Sequence, residues 1–400
     1  MAAEIHTEAR LRRPLLLAKA EGSQDVVNMA TIIPKEDGII SVSEDKSIRV
    51  WMKRDSGQYW PSVFHSMPAA CSAMSYNSET RRLFVGQDSG IIAEFQLSED
   101  FNKMSSVRNY PAHQQRVTAV LFVLETEWLL STGQDKLFCW HHSESSRALG
   151  SFRTPAWASC LQFDVESRYA FVGDYSGQIS VLKLDGMTCS TISTLKGHTG
   201  SVYALCWDPI QKLLFSGSSD SSVIMWDIGG QKGLAIELQG HRNKVQGLCF
   251  AQPTRQLLSC SSDGLLVVWN MDVHRQETPE WLDSDCCQTC SQPFFWNFKQ
   301  MWDSKTIGLR QHHCRKCGKA VCAKCSSKRS TIPLLGFETE VRVCDSCYDT
   351  ITDEDRAPTA TFHESKHSVV NMQLDLTRGW LLTSGTDKVI KLWDVSPVIS

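Results

Sequence analysis

A repeat runs through most of this 400-residue chain and limits the folds open to it. Aromatic or apolar residues close successive units at Trp51, Phe95, Trp140, Leu182, Trp226 and Trp269, at intervals of 44, 45, 42, 44 and 43 residues. A unit of about 40–45 residues holds four short strands and cannot bury its apolar faces alone, so neighbouring units must stack. Four-stranded units arranged radially form the blades of a propeller, which leaves only short sheet edges exposed. The expected fold class is all-β, a seven-bladed β-propeller.

The clearest unit opens at Gly197-His198, runs through Val202 to Trp207 and closes at Trp226-Asp227. The next opens at Gly240-His241 and closes at Trp269-Asn270, and both carry Ser-Ser-Asp, ending at Asp220 and Asp263, before a short apolar strand. Over residues 11–272 and 358–395 this pattern resembles the WD-repeat family. The resemblance implies an aspartate in the turn between the second and third strands, bonded to the histidine of the opening dipeptide. Asp45, Asp88, Asp135, Asp174, Asp220, Asp263 and Asp387 occupy the turn; His113, His198 and His241 fill the histidine slot. These pairs read as structural rather than catalytic, because buried polar groups need partners.

The rhythm breaks after Trp269. The next closing residue, Trp393, follows 124 residues later, one period plus about 80. The excess reads as a module inserted between two strands of blade six, with Ala360-Thr361-Phe362 resuming that blade. The chain then stops seven residues after Trp393. Blade seven therefore lacks a fourth strand at its C-terminal end, and the segment from Pro14 to Lys19 is expected to supply it. The resulting division is 1–272 for blades one to six with the closing strand, 281–350 for the module, and 358–400 for the end of blade six and blade seven.

The module carries four Cys-x2-Cys pairs: Cys287 and Cys290, Cys314 and Cys317, Cys322 and Cys325, Cys344 and Cys347. Eight thiolates suit two tetrahedral zinc sites. Alternate pairs can share a metal, although spacing alone leaves the pairing open. Nine of the chain's 16 cysteines lie in this stretch. The other seven sit in apolar runs as ordinary core residues.

Around the second pair the chain reads Arg310-Gln311-His312-His313-Cys314-Arg315-Lys316-Cys317, and Arg342-Val343-Cys344 precedes the fourth. This ordered motif resembles the FYVE-finger family. The resemblance implies one zinc on Cys287, Cys290, Cys322 and Cys325 and a second on Cys314, Cys317, Cys344 and Cys347, with Cys286 spare. It also implies binding of phosphatidylinositol 3-phosphate, with Arg310, His312, His313, Arg315 and Arg342 at the headgroup and Ile307 and Leu309 dipping into the membrane. Arginine forks suit phosphate oxygens in any case. Two departures stand out: Gln311 replaces the family's usual cation, and Ser284 stands where its upstream Trp-x-x-Asp element has Asp, with Asp283 and Asp285 beside it. The aromatic stretch Phe294–Trp302 lies in a longer first loop than the family's; packing is expected of it.

Together the two resemblances point to the WD-repeat and FYVE-domain-containing proteins. They imply an early-endosome scaffold, peripheral on the membrane and otherwise cytosolic, whose propeller recruits signalling proteins, protein kinases among them. A RING-like ubiquitin ligase with a propeller receptor is the alternative, since RING fingers also cross-brace two zincs; it leaves the basic motif without a role. The chain has 41 basic and 44 acidic residues, a balance unlike that of a nucleic-acid binder. No nucleophile–base pair, Gly-rich phosphate loop or open metal site is visible, so no enzyme is expected. No signal peptide is visible, and no apolar run reaches the roughly 20 residues of a membrane span. One finger binds a membrane weakly, so a second attachment is expected from a homo-oligomer or a membrane-bound partner.

Overall fold

The structure is a computed structural model and describes residues 12–230, 235–305 and 307–399. Residues 1–11 and 231–234, part of the expected first propeller segment, lie outside the described residues. Short strands rich in β-branched and aromatic residues alternate with tight turns, and they assemble into the seven blades of a propeller. Five blades are continuous in sequence: 27–66, 71–111, 117–153, 158–196 and 202–239. Each sheet is antiparallel, in chain order from the centre outward.

The core lies between blades. Buried apolar side chains form seven clusters in the ring, each shared by two neighbouring blades. Trp51, Trp140 and Trp269 are among the largest fully buried side chains. Phe95 and Leu182, which replace tryptophan in blades two and four, are also buried. Volume and apolarity satisfy this position, since removal of apolar surface from water contributes most of the stabilisation there.

Polar pairs at the blade rims hold the turns. His198 bonds Asp220 through Nδ1 at 3.0 Å and Ser216 through Nε2 at 2.7 Å, and Trp226 donates to the same serine at 2.8 Å. His113 and Asp135 meet at 3.0 Å. His241 departs from the expectation. Its Nε2 meets Ser259 at 2.6 Å, but Asp263 turns to Ser261 and Asn243, leaving Nδ1 unpartnered. A further pair, His367 with Asp387 at 2.6 Å, was not expected from the sequence. Lys366 precedes His367, so the Gly-His signal is missing. Asp45 and Asp88 have no histidine and bind Arg49 and Arg116 instead.

Two long-range strands complete the ring. Leu15–Ala20 pairs antiparallel with Ile390–Asp394, placing the start of the described chain on the outer edge of blade seven. Ala360–Glu364 pairs with Leu265–Asn270, Ala360 opposite Trp269, and returns the chain to blade six.

The cysteine-rich module leaves blade six but rests on blade five. Its hairpin, Arg329–Ile332 with Phe337–Arg342, extends the sheet of blade five to six strands. Phe337 lies parallel to Gln239, whose N–H donates to the Gly336 carbonyl at 2.7 Å. Gly336 has φ +87°, and a Cβ there would come within 1.8 Å of the Glu237 carbonyl oxygen. Glycine is therefore required both for the turn and for the approach. Glu338 accepts the Thr359 N–H at 3.0 Å, and buried Arg275 donates to the Thr359 hydroxyl at 2.9 Å. These bonds tie both ends of the insertion to the ring.

Candidate metal centres and anion site

The eight cysteines converge into two groups. Cys287, Cys290, Cys322 and Cys325 form one; Cys314, Cys317, Cys344 and Cys347 form the other, with all Sγ atoms in a group within 4.8 Å of each other. Alternate pairs thus share a centre. Cys290 and Cys322 have Sγ atoms 3.8 Å apart, and Cys317 and Cys344 3.9 Å. A tetrahedron with Zn–S bonds of about 2.3 Å has edges of about 3.8 Å. The donors are all sulfur, most of them partly or fully buried, and four thiolates complete a tetrahedral shell. This set fits two structural zinc ions. Cys286 lies outside both groups.

Hydrogen-bond donors prepare one thiolate in each centre, while burial and neighbouring sulfur raise Cys290, Cys317, Cys325 and Cys347. Cys322 N–H points at the sulfur of Cys287 at 3.3 Å, and Cys344 N–H at that of Cys314 at 3.2 Å. Burial pushes the Cys287 thiol up, but N–H groups of Cys290, Thr289 and Cys322 outweigh it and bring it down to about 7. Cys344 likewise comes down to about 7, burial being outweighed by hydrogen bonds from Ser346 and Cys347. A lowered thiol pKa favours the form that binds metal.

The centres also set the basic motif in place. His312 and His313 form a two-residue strand against Val321 and Ala320. Arg315 donates its N–H to the Arg342 carbonyl at 3.0 Å, which joins the two halves of the motif. The Arg342 guanidinium reaches the Ser326 carbonyl at 2.7 Å and its hydroxyl at 3.0 Å. The imidazole of His312 is held below its ordinary pKa by burial and then by Arg342, Arg310, Arg329 and His313. Burial and the neighbouring Arg329, Arg310 and Arg315 lower Arg342 as well. Like charges held this close attract an anion.

The cluster has a member that motif reading missed. Arg329 lies directly opposite Arg342 in the hairpin and donates to the same Ser326 carbonyl at 3.3 Å. It falls in the acid-free stretch from Lys305 to Arg329, but only the hairpin register brings it to the site. His313 stacks on Trp281 at 4.9 Å with the planes 10° apart, and its Nε2 lies 3.2 Å from the Leu282 carbonyl. The Arg315 guanidinium also lies over Trp281, 4.5 Å from the ring centroid. Burial lowers the Arg315 pKa, while Glu237 on blade five and Cys314 act in the opposite sense. Asp285 accepts the Trp296 indole N–H at 3.1 Å.

The aromatic stretch divides. Phe294 is buried in the finger core, as packing requires, but Phe298 and Trp302 are exposed on the helix Phe298–Ser304. Ile307 is exposed too, whereas Leu309 is half-buried against the finger core.

A closed ring of seven four-stranded blades, with two interleaved four-cysteine centres on its flank, defines a propeller carrying a zinc-finger module. Comparisons with known proteins agree with each part. The FYVE zinc finger model matches residues 280–353, and the WD domain, G-beta repeat model matches 189–227, 233–270 and 356–394. Human WD repeat and FYVE domain-containing protein 2 is 73% identical over 400 residues, all of both chains. Human WD repeat and FYVE domain-containing protein 1 is 65% identical over 399 residues, covering all of this chain and 97% of that one. The chain belongs to the WD repeat and FYVE domain-containing protein family. The crystal structure of the WD40 beta propeller domain of Doa1 superposes with a TM-score of 0.62 at 14% identity, covering 96% of this chain and 97% of that one. That likeness concerns the fold alone.

Proposed function

We propose that this protein is a peripheral scaffold of early endosomal membranes. The finger, residues 281–350, binds phosphatidylinositol 3-phosphate, and the propeller, residues 1–272 with 358–400, recruits signalling proteins, protein kinases among them. Cys287, Cys290, Cys322 and Cys325 hold one zinc and Cys314, Cys317, Cys344 and Cys347 the other. Arg310, His312, His313, Arg315 and Arg342 contact the headgroup, and Ile307, backed by Leu309, meets the acyl boundary.

The observation that carries this reading is the cation cluster. Arg310, Arg329 and Arg342 bear together on His312, and no carboxylate is among the causes that shift His312 or Arg342. The ubiquitin-ligase alternative leaves the cluster without a ligand. A vesicle pull-down tests the proposal, with phosphatidylcholine vesicles containing phosphatidylinositol, its 3-phosphate or its 4-phosphate. Binding should be confined to the 3-phosphate and lost in Arg315→Ala at unchanged zinc content. Equal recovery on all three lipids would refute it.

A further inference from the structure

Two consecutive cations at the start of the finger's hairpin have opposite surroundings. Lys328 pairs with Asp349 at 3.0 Å and lies over Tyr348, 4.6 Å from the ring centroid. Arg356 covers the same ring at 5.3 Å, pairs with Asp353 at 3.2 Å and donates to the buried Ser330 hydroxyl at 3.2 Å. Side chains alternate along the strand Arg329–Ile332, so Arg329 leaves from the other face. There it stands directly opposite Arg342. Like charges opposed across a hairpin cost stability. Among the described residues no carboxylate forms an ion pair with Arg310, Arg329 or Arg342, whereas Lys328 and Arg356 each have one.

The two opposed guanidiniums converge on one oxygen. Nη1 of Arg342 reaches the Ser326 carbonyl at 2.7 Å, and Nη1 of Arg329 reaches it at 3.3 Å. Nη1 of Arg329 also donates to the Lys328 carbonyl at 3.1 Å. Ser326 itself is fully buried, so the anchor is fixed. Among the described residues nothing accepts from Nε or Nη2 of either arginine. The hairpin thus holds two forks side by side by one nitrogen each and leaves their other donors free.

We infer that Arg329 and Arg342 form a two-arginine clamp for the phosphomonoester of the headgroup, which makes Arg329 a ligand-binding residue outside the basic motif. The inference deepens the lipid reading above and rests on it. A phosphomonoester carries a charge of about −1.5 to −2 near neutral pH and three strong acceptor oxygens. Two guanidinium forks match both the charge and the geometry. A phosphodiester has a single negative charge and gives the second arginine little to hold. Both arginines act on His312, as Arg310 does, so the clamp lies within the cluster rather than beside it. A bound dianion also turns the opposition of Arg329 and Arg342 from a cost into an attraction.

The test uses the full chain with Arg329→Gln or Arg329→Lys. Each is titrated with short-chain phosphatidylinositol 3-phosphate in solution, short-chain phosphatidylinositol and inorganic phosphate. Arg329→Gln should weaken binding of the 3-phosphate about tenfold or more. Arg329→Lys keeps the charge but not the fork and should fall between. Neither should change the affinity for phosphatidylinositol. Zinc should stay at two ions per chain, and the finger's melting temperature should hold or rise as the like-charge opposition is relieved. An arginine needed only for the fold would give lower melting and loss of zinc, and that result overturns the clamp. Unchanged 3-phosphate affinity in Arg329→Gln also overturns it, and leaves the lipid reading standing if Arg315→Ala still abolishes binding. If the wild type does not bind the 3-phosphate at all, the lipid reading falls and the clamp with it. Equal wild-type affinity for inorganic phosphate and the short-chain lipid, both weakened by Arg329→Gln, overturns the lipid reading and upholds the clamp.

Discussion

The propeller and the finger keep their shape by different means. Each blade shares a buried apolar cluster with both neighbours, and the ring closes on itself. The finger has a single cluster of its own, in which Cys287, Cys314, Cys322 and Cys344 are themselves core members. A small domain buries too little apolar area to offset its chain entropy, so metal must contribute. The contrast explains the division of labour. A self-supporting ring leaves its surface free for partners, whereas the finger can expose a dense positive cluster and three apolar side chains because metal fixes its backbone.

Removing metal should separate the two regions most sharply. Apparent binding energies for structural zinc are about 10–16 kcal/mol near neutral pH, more than a module of this size can lose. Chelation, or Cys317→Ser, should unfold the finger while the propeller's thermal transition remains. Elemental analysis should give two zinc ions per chain. One zinc, or simultaneous loss of both regions, would break the comparison.

The ring has its own weak point. Truncation through Ala20 removes the partner of Ile390–Asp394 and leaves an open edge on blade seven. Five or so ladder bonds at about 1 kcal/mol each, with the apolar cover, suggest a loss of at least about 3 kcal/mol. Scanning calorimetry and size-exclusion chromatography should show a lower melting temperature and aggregation. A monomer with unchanged melting would mean that the ring does not depend on this strand.

Acid should act on the propeller through buried histidines such as His241, whose Nδ1 has no partner. Burial lowers the His241 pKa to about 4, with Asp263 opposing. The unfolded chain takes up the proton near pH 6.5, while the native state resists until near pH 4. Stability from this group is therefore complete above about pH 6.5 and falls as pH drops towards 4. The shift corresponds to at most about 3 kcal/mol. Denaturant unfolding from about pH 7 to about pH 4 should show this slope reduced in His241→Gln. An identical pH profile in the variant would remove His241 as its source.

Some of this was legible in the chain and some was not, for physical reasons. The blades showed because each repeats a local pattern whose closing residue is buried, even at Phe95 and Leu182. The cysteine pairing agrees with the resemblance rather than with spacing, which fitted more than one arrangement. His367 has no glycine before it, and neither does His113, so the opening dipeptide alone does not locate the His–Asp bond. Arg329 and the contact with blade five were hidden for a deeper reason. Both follow from the hairpin's register, and its single bridge to Gln239 rests on one glycine, Gly336. Nothing periodic marks such a contact. The aromatic stretch reads as one packing unit in the sequence because composition does not tell buried Phe294 from exposed Trp302 without the helix that separates them.

That hidden contact suggests the smallest and most discriminating test, whether blade five tunes the finger. Glu237 lies on the outer strand of blade five, where its carboxylate accepts the Gln239 side-chain N–H at 2.8 Å. It also acts on Arg315, opposing the effect of burial. A carboxylate close to an arginine of the anion site competes with an incoming phosphate. Glu237→Gln keeps the shape and the hydrogen-bonding capacity while removing the charge. Affinity for the soluble 3-phosphate should therefore rise about two- to fivefold at low salt, as expected for a partly screened charge pair. The gain should shrink as ionic strength rises and the screening length falls below about 10 Å. The same substitution should leave zinc content and propeller melting unchanged, since neither region loses a buried group. Isothermal titration at two salt concentrations provides the measurement. Equal affinity of variant and wild type at low salt would mean that the propeller holds the finger in place without adjusting its charge, and the two regions would then be coupled only through geometry.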